Sequence, residues 1–135
     1  MNANHVHELA RATLNGTLPF PEIVSRLMTE GVEYYHIDYV AMQMSFYSAE
    51  GSVVITPLNF EAMPTVARDF DFSALKAAIL DSQQHGQKFR DFCHRAVEAG
   101  VASYFAFLRG QQVTYFGRQG HHHVEWFPGA KRDDA

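Results

Sequence analysis

One cysteine, Cys93, stands in 135 residues, so no disulfide can close within the chain. The staple that small secreted domains use in place of a large core is therefore absent, and a reducing compartment is the expectation. Long apolar runs are missing too, since no window reaches the ~18 residues that a membrane-crossing helix needs. The opening MNANHVHELARATLNG lacks the basic segment and apolar run of a secretory leader. No membrane association is expected, and the cytoplasm is the expected location. Basic charge is scarce and scattered: 11 Lys and Arg stand against 15 Asp and Glu, a formal net charge of −4. A surface that tracks phosphates needs clustered cations, so nucleic acid is not an expected partner. No complete catalytic or cofactor-binding signature stands in the chain, and no cofactor is expected.

What is present is apolar and aromatic residue, 47% and 13% of the chain. That composition is too hydrophobic for disorder. The length suits a single domain over 1–135, able to bury roughly two thirds of the surface its unfolded chain exposes.

The chain contains an internal repeat. With an offset of 69 residues, FPEIVSRLMTEGVEYYHIDYVAMQMSFYSAEG (20–51) lies over FRDFCHRAVEAGVASYFAFLRGQQVTYFGRQG (89–120) without a gap. Seven of 32 positions are identical, among them Phe20 with Phe89, Arg26 with Arg95, Gly31 with Gly100, Tyr35 with Tyr104 and Gly51 with Gly120. Chance would give about two. Each copy reads as helix, glycine stop and two strands. Phe20, Ile23, Val24, Leu27 and Met28 recur at helical spacing in the first, and Phe89, Phe92, Cys93, Ala96 and Val97 in the second. Gly31 and Gly100 fall where a helix C-terminus needs a left-handed residue. A β-branched side chain at Gly100 is accordingly expected to cost more than ~1 kcal/mol.

VEYYHIDYV with MQMSFYS, and VASYFAFLR with QVTYFG, then read as antiparallel hairpins, the second with a tight turn at Arg109, Gly110 and Gln111. A shorter helix precedes each copy, over 6–14 and 72–84, with Ser73 after Asp71 offering an N-cap. A third strand follows each, SVVITP and HHHVEWFP. The expected fold is α+β: an antiparallel sheet of about six strands, about four helices packed on one side, and a pseudo-twofold relation between the repeats. The tail 129–135 is expected to fray.

FPEIVSRLMTEGVEYY in the first half, QQHGQKFRDFCHRAVEAGVASYF in the second, the VTYFGRQG strand and turn, and the closing VEWFP together resemble the family labelled DUF1398. That family is described as phage-envelope-like and as similar to the prophage protein YdfO. The resemblance covers Phe20 to Pro128. It supports the fold, carries no catalytic residue or cofactor, and implies a phage- or prophage-derived accessory or structural protein as one role. The triple histidine and the pair His36 and Asp38 depart from the family pattern.

Candidate chemistry is thin. His121 and His123 alternate onto one strand face and, joined by Glu125, would make a three-ligand metal site with an open position; an exposed polar strand face is the plainer reading. Tyr34, His36 and Asp38 share a strand face, and an imidazole beside a carboxylate is the core of a general base, yet no nucleophile accompanies them. The equivalent strand of the second copy has Phe105 and Phe107, so this polar and aromatic face is the candidate ligand site. Cys93 lies on an apolar stripe and reads as a small hydrophobe. Arg26 and Arg95 could clamp an anion, or pair with Glu22 and Asp91 one helical turn away.

Aromatic residues fall on both faces of the strands, more than one helical layer can cover, so something should cap the second face. The leading expectation is a non-enzymatic module that binds a small apolar or aromatic ligand, or a second copy of the chain as a homodimer. A small enzyme using His36 and Asp38, or a histidine metal site, is the alternative.

Overall fold

The computed structural model describes residues 1–130. The chain runs α1 (Ala3–Asn15), α2 (Phe20–Thr29), β1 (Val32–Asp38), β2 (Gln43–Ser48), β3 (Val53–Pro57), α3 (Phe72–His85), α4 (Phe89–Glu98), β4 (Val101–Phe107), β5 (Gln112–Gly117) and β6 (His122–Trp126). Local chemistry accounts for most of the boundaries. Asn2 caps α1 by accepting from the His5 amide, and Gly16 ends it at φ +66°. Asp71, inside the pair that suggested an N-cap, accepts from the Ala74 amide at 3.0 Å, which places Ser73 within α3. Both α2 and α4 end beside a left-handed glycine, Gly31 at φ +87° and Gly100 at φ +90°.

All six strands are antiparallel, in the order β3-β2-β1-β4-β5-β6. β1 and β4 join the halves, pairing Tyr34 with Phe107, His36 with Phe105 and Asp38 with Ser103. Strand alternation then decides which residue faces what. Tyr35, Ile37, Met44, Phe46, Tyr104, Ala106, Val113 and Tyr115 point one way and are at most 8% exposed. Buried residues of all four helices complete this layer: Val6 and Leu9, Ile23 and Leu27, Leu75 and Ile79, Phe92 and Val97. The helices thus cover one side of the sheet, and both halves contribute to one core.

Two details differ from the sequence reading, and two more are not contained in it. The apolar stripe of α2 is narrower, because Phe20 and Met28 are largely exposed and only Ile23 and Leu27 are buried. The tight turn of the second hairpin holds its left-handed residue at Gln111, φ +58°, and Met42 holds the same place in the first at φ +56°. Arg26 does pair with Glu22 at 2.6 Å, but Arg95 turns from Asp91 to Asp81 of α3 and to the side-chain Oε1 of Gln87. The segment from Leu58 to Asp71, which joins β3 to α3, is held against the fold along its length. Leu58 and Val66 are buried, and the amides of Ala67 and Asp71 donate to the carbonyls of Val97 and Ala99 at the end of α4. Of the tail expected to fray, Ala130 closes a turn onto the Phe127 carbonyl, and residues 131–135 lie outside the described residues. Among the described residues no helix is long and apolar enough to cross a membrane.

Candidate functional site

The second face of the sheet carries Tyr34, His36 and Asp38 from β1, Phe105 and Phe107 from β4, Ser45 and Tyr47 from β2, and Thr114 and Phe116 from β5. Val53 and Ile55 of β3 and Val124 of β6 extend it to both edges, with exposures of 46%, 53% and 41%. The rings are half-buried because they pack on one another. Tyr34 stacks on Tyr47 at 4.8 Å and lies 6.3 Å from Phe105 and 6.0 Å from Phe107. Phe105 in turn meets Phe107 at 5.8 Å and Phe116 at 6.3 Å, and Phe116 meets His122 at 6.2 Å. Each of these contacts stays within the face. None of the six strands contains Lys or Arg, so the face lacks the cations that usually hold the solvent side of an antiparallel sheet in water.

His36 sits at the middle of the array, its imidazole stacked on Phe105 at 4.3 Å and 21°. Asp38 shares the face, but its Oδ1 accepts the amides of Val40 and Ala41 at 2.9 Å each and so caps the turn after β1. The carboxylate is therefore committed to backbone, not to orienting the imidazole as a general base requires. Partial burial lowers the His36 pKa, with Asp38 pulling weakly the other way. The other groups around it are Tyr34 on β1, Ser45 and Tyr47 on β2 and Phe105 on β4, none of them charged.

This lowering has a testable sign. Above the ordinary histidine value of 6.5 the ring is neutral whether the chain is folded or not, and its protonation costs the fold nothing. Below it the unfolded chain takes up the proton more readily, so stability falls as pH drops from 6.5 through the lower folded value. His36→Gln should melt closer to, or above, the wild type at pH 5 than at pH 7.5. Melting curves by circular dichroism at the two pH values check this, and an equal offset at both would disprove it.

The histidine strand divides. His122 points to the uncovered face, whereas His123 and Glu125 point to the helical side opposite Tyr115 and Val113. His121 precedes β6 and stacks beside Phe70 at 6.2 Å. His123 lies 2.9 Å from Glu125 through Nε2 and meets the edge of Phe72. Lys76 of α3 donates to both oxygens of Glu125, at 2.8 and 2.9 Å. Burial raises the Glu125 pKa, but the hydrogen bonds from Lys76 and His123 outweigh it and leave the carboxyl below its ordinary value. An ammonium thus stands where a metal would draw on that carboxylate, and among the described residues no three His, Cys, Asp or Glu side chains gather around a common point.

Cys93 is fully buried and accepts the hydroxyl proton of Tyr39 at 3.3 Å. Burial pushes its thiol up to about 12, which removes the thiolate at neutral pH. Arg26 and Arg95 face their own carboxylates on separate helix pairs and form no common anion clamp. Tyr47 and Phe116 belong to the face as fully as the residues singled out from β1 and β4. Alternation in MQMSFYS and QVTYFG carried that information, but only the hairpin register aligns it with Tyr34 and Phe105.

Fold and site together define, among the described residues, a two-layer α+β protein with helices on one side of an antiparallel sheet and, on the other, an aromatic face whose strands contain no Lys or Arg. The chain belongs to the family described as a protein of unknown function, DUF1398, whose model matches residues 3–125. No curated protein matches the chain.

Proposed function

We propose that the chain is a binding module without chemistry of its own, and that the uncovered sheet face is its working surface. One observation carries the reading: a layer of rings, centred on Tyr34, His36, Phe105 and Phe107, has no helix of the described residues over it and no Lys or Arg in its strands. The largest apolar patch on a typical monomer covers roughly 300–600 Å² and is often functional. Six strands 4.7–4.9 Å apart and five to seven residues long span roughly 550 Å² of sheet face, on which the rings with Val53, Ile55 and Val124 form the apolar part and Asp38, Ser45 and Thr114 the polar part. The surface suits flat apolar partners. Single-stranded nucleic acid also stacks on rings, but it requires cations along its path, and these strands supply none.

The strands also support reading the halves as diverged copies. β1, β2 and β3 have 7, 6 and 5 residues, and so do β4, β5 and β6. Residues equivalent under the 69-residue offset face each other across β1 and β4 at one pair only, His36 and Phe105, which supports a local twofold relation centred there.

The experiment is a titration of dilute protein with 8-anilinonaphthalene-1-sulfonate, a planar apolar dye. Saturable fluorescence enhancement is expected in the wild type and is expected to be lost in Phe105→Ser with Phe107→Ser. Enhancement that survives that replacement, or none in the wild type, would refute the assignment.

A further inference from the structure

We infer that the occupant of the uncovered face is a second copy of the same chain, stacked sheet to sheet in an isologous dimer. The inference rests on the reading of that face as a binding surface and names its partner. Area is the first argument. Two faces of roughly 550 Å² bury about 1,100 Å² on stacking, which clears the ~1,000 Å² that a specific interface needs. Because the helices lie wholly on the other side, nothing in the described residues stands between two such sheets.

Charge is the second argument. The chain carries a net charge of −4, so like surfaces of this protein repel in general. The strands hold only three carboxylates, Glu33, Asp38 and Glu125. Of these, Glu125 is on the helical side under Lys76, Asp38 caps its own turn at one end of β1, and Glu33 lies at the bulge that opens the same strand at its other end. The middle of the face therefore meets its copy without a repulsive pair, whereas a strongly charged partner would find no complement there. Self-complementarity is the third. A dimer axis lying between the sheets and crossing the His36 and Phe105 centre sets the ring cluster of one copy on that of the other, with the offset-equivalent rings Tyr47 and Phe116 flanking it, although the counterparts of Tyr34 and Phe107 are Ser103 and Asp38. It brings each His36–Phe105 pair against the same pair of the other copy. The hot spot is then the ring cluster at the centre, with Val53, Ile55 and Val124 at the margins.

Analytical ultracentrifugation of the full chain at tens of micromolar tests the inference. The wild type should sediment as a dimer, twice the 15.3 kDa of the chain. Phe105→Ser with Phe107→Ser should sediment as a monomer. A second variant guards against loss of folding: Thr114→Lys removes no ring but plants a cation on β5 beside Phe105, and it should also be monomeric with an unchanged circular dichroism spectrum. A wild type that stays monomeric, yet binds the dye in a manner abolished by the serine pair, would overturn the second copy and leave the face as a site for another apolar partner. A monomer that binds no dye would overturn both readings. A dimer that persists in both variants would place the contact elsewhere and overturn this inference.

Discussion

Gly100→Ala is expected to destabilise the fold by more than ~3 kcal/mol, whereas Gly31→Ala costs about 1 kcal/mol, although both glycines have the same backbone conformation. Gly31 lies at φ +87° and Gly100 at φ +90°, so an L side chain is strained alike at either. Their surroundings differ. A Cβ on Gly31 would meet nothing within 4 Å, while one on Gly100 would fall 2.9 Å from the Asp69 carbonyl carbon and still closer to its oxygen. Both contacts are backbone, held by the Asp71 amide on the Ala99 carbonyl at 2.8 Å, and cannot be relieved by a rotamer change. Relief would require the Asp69–Phe70 stretch to leave the end of α4, taking with it the buried Val66 and the Phe70 ring that packs at Gly117. For a domain whose total stability is of order 5–15 kcal/mol, the Gly100 variant would be partly unfolded at physiological temperature. Urea unfolding of the two variants side by side checks the difference, and equal midpoints would show that the connection yields freely.

The same pair of glycines marks where sequence reading stops. That both end helices was legible, because an apolar stripe at helical spacing runs up to each and a β-branched and aromatic segment follows. That one of them is also a close-approach site was not legible. The contact comes from a segment some thirty residues upstream with no periodicity of its own, which the sequence presents as a loop. Arg95 tells the same story. Its neighbour at helical spacing, Asp91, competes with Asp81, and only the packing of α3 on α4 puts Asp81 nearer. Local spacing names the candidates for a contact, and tertiary packing chooses among them.

The candidate site was legible in part for a related reason. Alternation assigns Tyr34, His36 and Asp38 to one face without any structure, and the excess of rings over what one helical layer can cover points to a second apolar surface. Alternation does not say which strand lies beside which. The pairing of His36 with Phe105 depends on β1 meeting β4, a contact between residues 69 apart. It also could not show that Asp38 would be spent on its own turn, nor that β6 would begin at His122 and send His123 and Glu125 under α3.

Phe46→Ala and Phe107→Ala should separate what holds the chain together from what the face is for. Phe46 is 1% exposed, packed against Tyr35 at 5.3 Å beneath the helices, and its truncation leaves a cavity that the surroundings cannot refill; a loss of ~3–5 kcal/mol is expected. Phe107 sits on the uncovered face, touching Tyr34 and Phe105, with no helix behind it, and solvent enters the space it vacates. In dilute protein its truncation should cost about 1 kcal/mol, the scale of a cross-strand aromatic pair. Concentration then discriminates. If a second copy covers the face, association adds to the apparent stability of the wild type as protein concentration rises, and Phe107→Ala forfeits that gain while Phe46→Ala keeps it. The gap between wild type and Phe107→Ala should therefore widen from sub-micromolar to tens of micromolar, while the gap to Phe46→Ala stays constant. Urea midpoints at the two concentrations, with the slope of each transition checked for two-state behaviour, measure both gaps. A Phe107→Ala loss as large as that of Phe46→Ala in dilute protein would mean that the face is already sealed within one chain. A small loss that does not grow with concentration would leave the face free for a partner other than its own copy.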